Sequence, residues 1–462
     1  MGETMIRDHA DASAGELAAA LAARKVGALE LADAAIARIE ARDGAINAVV
    51  VRDFERAREA ARAADAALAR GERRPLLGVP MTVKEAHWVE GLKTCWGIEM
   101  WKGWTAPVDG VGVARLKAAG AVILGKTNVP PMLADWQSDN PVYGRTNNPW
   151  DLGRSPGGSS GGGAAALAAG YVPLEFGSDI GGSIRIPAAF CGVYGHKPSY
   201  GAVPLAGHTP PGIEGPDIVL AVVGPMARTA ADLDLALGVM AGPPDADAVG
   251  YRLAFPPPRH GRIADHRVLI LDRHPLATVD EEIRGALEAL GDRLEDLGAT
   301  VDRDSDLTPD LAEAHGIYLQ MLNTAMTLGQ PGAKPPNAHE WLGLQGAQHA
   351  IARQWRRLFE AYDVVLTPAH GSLAFPHDAS PDMGARTLTL NGEATPYFSQ
   401  LAWPGLATLP GLPATAAPIG LSAGGLPMGV QIIGPWLEDR TPIAFAGLLE
   451  REFGGFRRPP GY

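Results

Sequence analysis

Three residues carry side chains from which a nucleophilic reaction can be assembled: Ser159, Ser183 and Lys84. Ser159 lies in Gly157-Gly158-Ser159-Ser160-Gly161-Gly162-Gly163, and Ser183 in Ser178-Asp179-Ile180-Gly181-Gly182-Ser183-Ile184-Arg185-Ile186-Pro187. The surrounding glycines free the backbone to approach a ligand closely. A serine hydroxyl is a weak nucleophile at neutral pH and needs a base, yet no histidine is fixed by a motif beside either serine. Most lysines are solvated surface charges. Lys84 follows the run Gly78-Val79-Pro80-Met81-Thr82-Val83, which reads as interior and carries the lysine inside with it.

Other chemical signals fail on context. Gly120 to Thr127 spells a phosphate-cradling loop, Gly-x-x-x-x-Gly-Lys-Thr. Its middle residues, Ala121-Val122-Ile123-Leu124, form a buried-strand run, and Asn128-Val129-Pro130-Pro131 is a poor start for the required helix. Gly157 to Gly161 also fits a Gly-x-Ser-x-Gly nucleophile elbow, with Ser159 attacking. An elbow follows an apolar strand, whereas Trp150 to Pro156 is polar and broken by Gly and Pro. The 12 histidines make no His-Glu-x-x-His pattern and there is no Cys-x-x-Cys, so no metal and no cofactor are expected. Cys191, in Ala189-Phe190-Cys191-Gly192, reads as a small core residue.

Composition narrows the partners. A formal charge of −12 on 462 residues argues against a nucleic-acid footprint and against anionic membrane surfaces. No apolar run approaches the roughly 18 residues of a membrane span. Two cysteines cannot build a disulfide framework, and the N-terminus Met1 to Asp8 lacks an apolar leader, which makes the cytoplasm the expected compartment.

The elements that must hold these residues follow from periodicity. Residues 13 to 71 read as helical, opened by a Ser13/Glu16 capping box, within an N-terminal helical segment spanning 1–72. From Leu76, short apolar runs alternate with helical pieces and Gly/Pro punctuation, and residues 73–462 read as one catalytic domain with a surface connection at 243–265. Strands are expected at Val268-Leu269-Ile270-Leu271, Asp363-Val364-Val365-Leu366 and Val430-Gln431-Ile432-Ile433, with helices over 279–297 and Ile443 to Phe453. The fold class is therefore α/β, a single large domain with a central mixed β-sheet covered by helices on both faces.

The stretch from Leu76 to Gly201 resembles the amidase signature family of serine amidohydrolases. Gly157 to Ala188 matches its central signature, and Gly78-Val79-Pro80-Met81-Thr82-Val83-Lys84-Glu85 its lysine motif. The segments Asn147-Asn148-Pro149-Trp150 and Gly425-Leu426-Pro427-Met428-Gly429-Val430-Gln431 extend the similarity over most of the chain. The resemblance implies that Ser183 is the nucleophile, Ser159 the relay and Lys84 the base, with a cis Gly158–Ser159 peptide. The amides of Ile180, Gly181, Gly182 and Ser183, at the start of a short helix over Ile184 to Phe190, would form an oxyanion hole. Ser160 would support by hydrogen bonding, and Asp179 with Arg185 would brace the loop as an ion pair.

Two functional readings are expected to compete. One is a free-standing amidase acting on a small carboxamide, with esters and carbamates as further candidates; the other is the glutaminase subunit of a tRNA-dependent amidotransferase. The family's glutaminase subunits usually carry Gln after Ser-Ile-Arg and a Ser-Leu-Asp-Gln run later. Here those places hold Ile186 and Gly215-Pro216-Asp217-Ile218, which favours the free-standing enzyme. Met132, Trp136, Ile186 and His208 are the candidate substrate-binding residues. The expected partner is a small-molecule amide, with no nucleic acid and no membrane, and a homodimer is the candidate assembly.

Overall fold

Eleven strands hydrogen-bond into one sheet in a computed structural model that describes residues 9–213, 217–327 and 332–462. The strands are β1 (Val49–Arg52), β2 (Pro80–Lys84), β3 (Val122–Thr127), β4 (Leu174–Asp179), β5 (Tyr194–Lys197), β6 (Val222–Ala227), β7 (Arg267–Ile270), β8 (Thr300–Asp302), β9 (Val364–Pro368), β10 (Ala414–Leu421) and β11 (Pro427–Ile433). Their spatial order is β1-β3-β2-β4-β6-β5-β10-β11-β9-β7-β8. β2 runs parallel to β3 and β4, β7 parallel to β8 and β9, and the remaining neighbours are antiparallel. Such a mixed sheet needs helices on its faces, because β2, β3, β4 and β6 are buried along their whole length.

The first three described helices are α1 (Ala14–Ala22), α2 (Ala28–Ile46) and α3 (Phe54–Ala69), and the Ser13/Glu16 capping box is present at α1. The helical reading of 13–71 needs one correction. Val49-Val50-Val51, a β-branched run, leaves the helical pattern after the left-handed Asn47 and pairs as β1 with β3 at the sheet's edge. The expected later elements appear as β7, β9 and β11, with helices Glu281–Asp296 and Arg440–Phe453. Between residues 243 and 262 no helix or strand forms. Gly120 to Thr127 is no phosphate loop: Val122 to Thr127 is the buried strand β3.

Two short helices begin where the chemistry lies. α4 (Gly161–Ala168) starts after Ser160, and α5 (Arg185–Cys191) starts after Ser183; every residue of both is buried. The glycines of α4 are a packing requirement, since a Cβ on Gly162 would strike the backbone of Asn128 and one on Gly163 the side chain of Glu175. α5 is one residue offset from the expected span, and its N-cap is Ile184 with no side-chain cap, so Ser183 keeps its hydroxyl off the helix end. Among the described residues, no helix is long and apolar enough to cross a membrane.

Candidate active site

β2 delivers Lys84 from its C-terminal end into the space between α4 and β4. The side chain is fully buried, and Nζ lies 2.6 Å from Ser159 Oγ, 2.9 Å from Ser160 Oγ and 2.9 Å from Ser178 Oγ. Among the described residues, none of its hydrogen-bond partners is a carboxylate. Burial drives its pKa down to about 7, against the opposing pull of Asp179 and Glu175. A neutral amine has two hydrogens and one lone pair, so one of these three hydroxyls then donates into nitrogen. Beneath it Glu175 accepts from the Thr82 and Thr127 hydroxyls, and burial raises its pKa to about 7.

The loop between β4 and α5 is organised by Asp179. Its carboxylate accepts from the amides of Gly182 and Ile184, each at 3.0 Å, and from Arg185 Nη2 at 2.7 Å and Nε at 3.0 Å. Both side chains are wholly buried. Burial alone would raise the Asp179 pKa, but the guanidinium and the amides win and hold it near 2. Arg185 also donates to Pro404 O at 3.0 Å, to Thr408 Oγ1 at 2.9 Å and to Gln431 Oε1. A left-handed φ of +89° at Gly182 turns the loop.

Of the four amides expected to face an oxyanion, one is already engaged within the loop. Gly182 N–H is spent on Asp179, because the carboxylate that braces the loop takes it as a ligand. The amides of Ile180, Gly181 and Ser183 have no acceptor among the described residues. Two side chains pin the intervening carbonyls: Tyr318 Oη donates to Ile180 O at 2.8 Å and Trp136 Nε1 to Gly181 O at 3.0 Å. Since a carbonyl and the next N–H share one rigid peptide plane, Tyr318 sets the direction of the Gly181 amide.

Ser159 and Ser183 line one cavity, and the Ser160 amide donates to Ser183 O at 3.1 Å. The Gly158–Ser159 peptide is cis. No hydrogen bond joins the two serine hydroxyls among the described residues, so the lysine network reaches Ser159 and stops short of Ser183. The cavity has two lobes. One of about 190 Å³ includes Trp96, Met132, His208, Pro210 and Ile213, and another of about 460 Å³ includes Trp136, Leu319, Leu322, Phe398 and Leu401.

Three of the four candidate pocket residues thus face the cavity and one does not. Ile186 is fully buried in a cluster with Trp136, Phe190 and Tyr397, because the first turn of α5 points it away from the cavity into that core. His208 is neutral: burial and the nearby Lys84 lower its pKa to about 3, too weak to serve as a base. Ser178, Tyr318 and the helix that carries Tyr318 (Leu311–Met326) have no role in the sequence reading. The available signal for Ser178 is strand alternation, which puts it on the face of β4 opposite Asp179. Gly215 and Pro216, which bear on the glutaminase comparison, lie outside the described residues, as does the N-terminus Met1 to Asp8.

An eleven-stranded mixed sheet carrying a buried lysine–serine network under an apolar cleft defines a hydrolase acting on carbon–nitrogen bonds. The chain belongs to the amidase family: the family model Amidase matches residues 30–328 and 327–442. It is 34% identical over 492 residues to a glutamyl-tRNA(Gln) amidotransferase subunit of Anaeromyxobacter sp. (strain K), covering 96% of this chain and 97% of that one. It is 33% identical over 508 residues to fatty-acid amide hydrolase 2-A of Danio rerio, covering 97% and 90%. Among solved structures, it superposes with a TM-score of 0.83 and 30% identity on an inhibitor-bound chain from a vestigial protein complex bearing on the origins of an s-triazine catabolic enzyme, covering 96% and 99%.

Proposed function

We propose that the chain is a free-standing amidase that hydrolyses a linear carboxamide through an acyl-enzyme on Ser183. The observation that carries this reading is the Lys84 amine, buried, brought to about 7 and bonded at 2.6 Å to a hydroxyl that opens into the cavity. Ser183 Oγ attacks the carbonyl carbon while its proton passes to Ser159, whose own proton passes to Lys84 Nζ. The carbonyl electron pair moves onto oxygen, where the amides of Gly181 and Ser183, with Ile180, can receive it. Losing one such donor typically costs about 3–4 kcal/mol of barrier. Collapse of the intermediate breaks the C–N bond, and the proton returns along the same path to the leaving amine. Water then attacks the ester, giving up its proton to the same chain, and the carboxylic acid leaves with Ser183 restored.

The second reading, a glutaminase subunit working inside an amidotransferase, is favoured by the Anaeromyxobacter relative. Against it stands the lining: the charged residues among both described lobes are Asp179 and Asp135, so a glutamine α-carboxylate finds no cation there. The test is turnover of a panel of amides by wild type and Ser183→Ala. Cleavage that survives the substitution refutes the mechanism, and glutaminase activity that appears only with added partner subunits supports the second reading.

A further inference from the structure

The two lobes meet at the candidate nucleophile. Ser183, Ile180, Leu133 and Met326 line both of them. A carbonyl carbon over Ser183 Oγ therefore has room to its left and right, and a primary amide, whose nitrogen carries only hydrogens, fills one room and leaves the other empty. Away from the serines and Asp179, both rooms are lined mainly by apolar side chains. In the smaller, Trp96, Met132, Pro210, Ile213 and Val222 surround the space. In the larger, the one carboxylate besides the shared loop, Asp135, is already engaged by Arg386 at 2.7 Å and by the Tyr397 hydroxyl at 2.7 Å.

Water gains little in an apolar space, and such space is of no use to a small polar leaving group such as ammonia. An apolar cavity of about 150 Å³ accepts a benzene ring, so the smaller lobe at about 190 Å³ suits one ring or a short branched chain. At about 460 Å³ the larger accepts a longer or bicyclic group. Resting on the amidase reading above, we propose that the substrate is a secondary amide with an apolar group on each side of the scissile bond, so that the leaving group is an apolar amine rather than ammonia. Each arm buries its own apolar area, so a substrate with both arms gains the sum, and specificity of this kind scales with the area matched.

The experiment compares three amides of one arylacetic acid: the primary amide, the N-methyl amide and the N-benzyl amide. The wild-type chain should turn over the N-benzyl amide with kcat/KM about tenfold or more above the primary amide, since one or two buried methylene equivalents give that much discrimination. Equal or faster cleavage of the primary amide, abolished by Ser183→Ala, overturns the two-armed substrate and leaves the amidase reading standing. No turnover of any of the three overturns both. A second measurement uses Ala325→Phe, which adds a ring to the smaller lobe alone. It should compress the ranking, lowering the N-benzyl rate more than the N-methyl rate or, with the substrate reversed in the cleft, doing so for a matched series varied on the acyl side. A ranking untouched in both series overturns the proposal, and the wild-type comparison decides it if the variant does not fold.

Discussion

Lys84 and Lys197 are two wholly buried lysines on strands of the same sheet, and burial lowers both to about 7. Both reach a main-chain oxygen, Ser178 O at 3.4 Å in the case of Lys84, and their other partners differ. Lys84 Nζ meets three hydroxyls, whereas Lys197 Nζ donates to the main-chain oxygens of Pro198 at 3.0 Å and Leu412 at 2.7 Å. A hydroxyl both accepts and donates, so it can pass a proton onward; a carbonyl only accepts. A depressed pKa thus marks a buried amine, and its acceptors decide whether it is wired to chemistry.

The largest effect that tests this contrast is Lys84→Ala, which should lower kcat/KM for amide cleavage by about 10⁴-fold or more with the fold retained, in the range seen when a member of a catalytic unit is removed. Lys197→Met should leave kcat/KM within about threefold, as a change away from the reacting atoms does. Steady-state kinetics with circular dichroism on both variants decides the matter, and equal losses would erase the distinction. Next in size, Asp179→Asn breaks a fully buried ion pair and should destabilise the chain by about 3–5 kcal/mol, measured by denaturant unfolding.

A pH effect follows from the same amines. The base is the neutral form, so kcat/KM should rise about tenfold per pH unit below about 7 and level off above it. Stability moves with the same sign for both lysines. Between about 7 and the ordinary lysine value near 10.5 the unfolded chain binds more protons, so stability rises with pH across that window and the contribution is flat below it. Lys197→Met should therefore be stabilised, relative to wild type, more at pH 7 than at pH 10, and a pH-independent difference in unfolding free energy would contradict the buried neutral amine. A loss between those of Lys84→Ala and Lys197→Met is expected for Tyr318→Phe, which frees the Ile180 carbonyl and should lower kcat about tenfold with little change in KM, as expected when the Gly181 amide loses its aim at the transition state. A KM effect alone would make Tyr318 a packing residue.

Much of this arrangement is legible in the sequence because chemistry and local pattern coincide. The Gly/Ser stretch, Lys84 behind an apolar run and the strand hidden in Gly120 to Thr127 all announce themselves within a few residues. What cannot be read there depends on contacts distant in sequence. Tyr318 reaches Ile180 from 138 positions away, and nothing around Tyr318 marks it. Ile186 looks like a pocket residue from its neighbours, but a helix turn of α5 commits it to the core. Position alone assigns the Gly182 amide to an oxyanion, when the nearby Asp179 carboxylate is a better acceptor already in place. β1 escapes for a different reason, a four-residue strand between two long helices being shorter than the window over which helical periodicity is judged.

The brace on the loop carrying Ser183 also has an order of assembly. Arg185 is held by Pro404, Thr408 and Gln431, which lie 219, 223 and 246 positions downstream. During synthesis the serines, the lysine and Asp179 leave the ribosome long before those acceptors do, so the guanidinium has Asp179 at hand but lacks its other three partners until the chain beyond Gln431 is made. The loop between β4 and α5 therefore gains its full set of braces only on a nearly complete polypeptide.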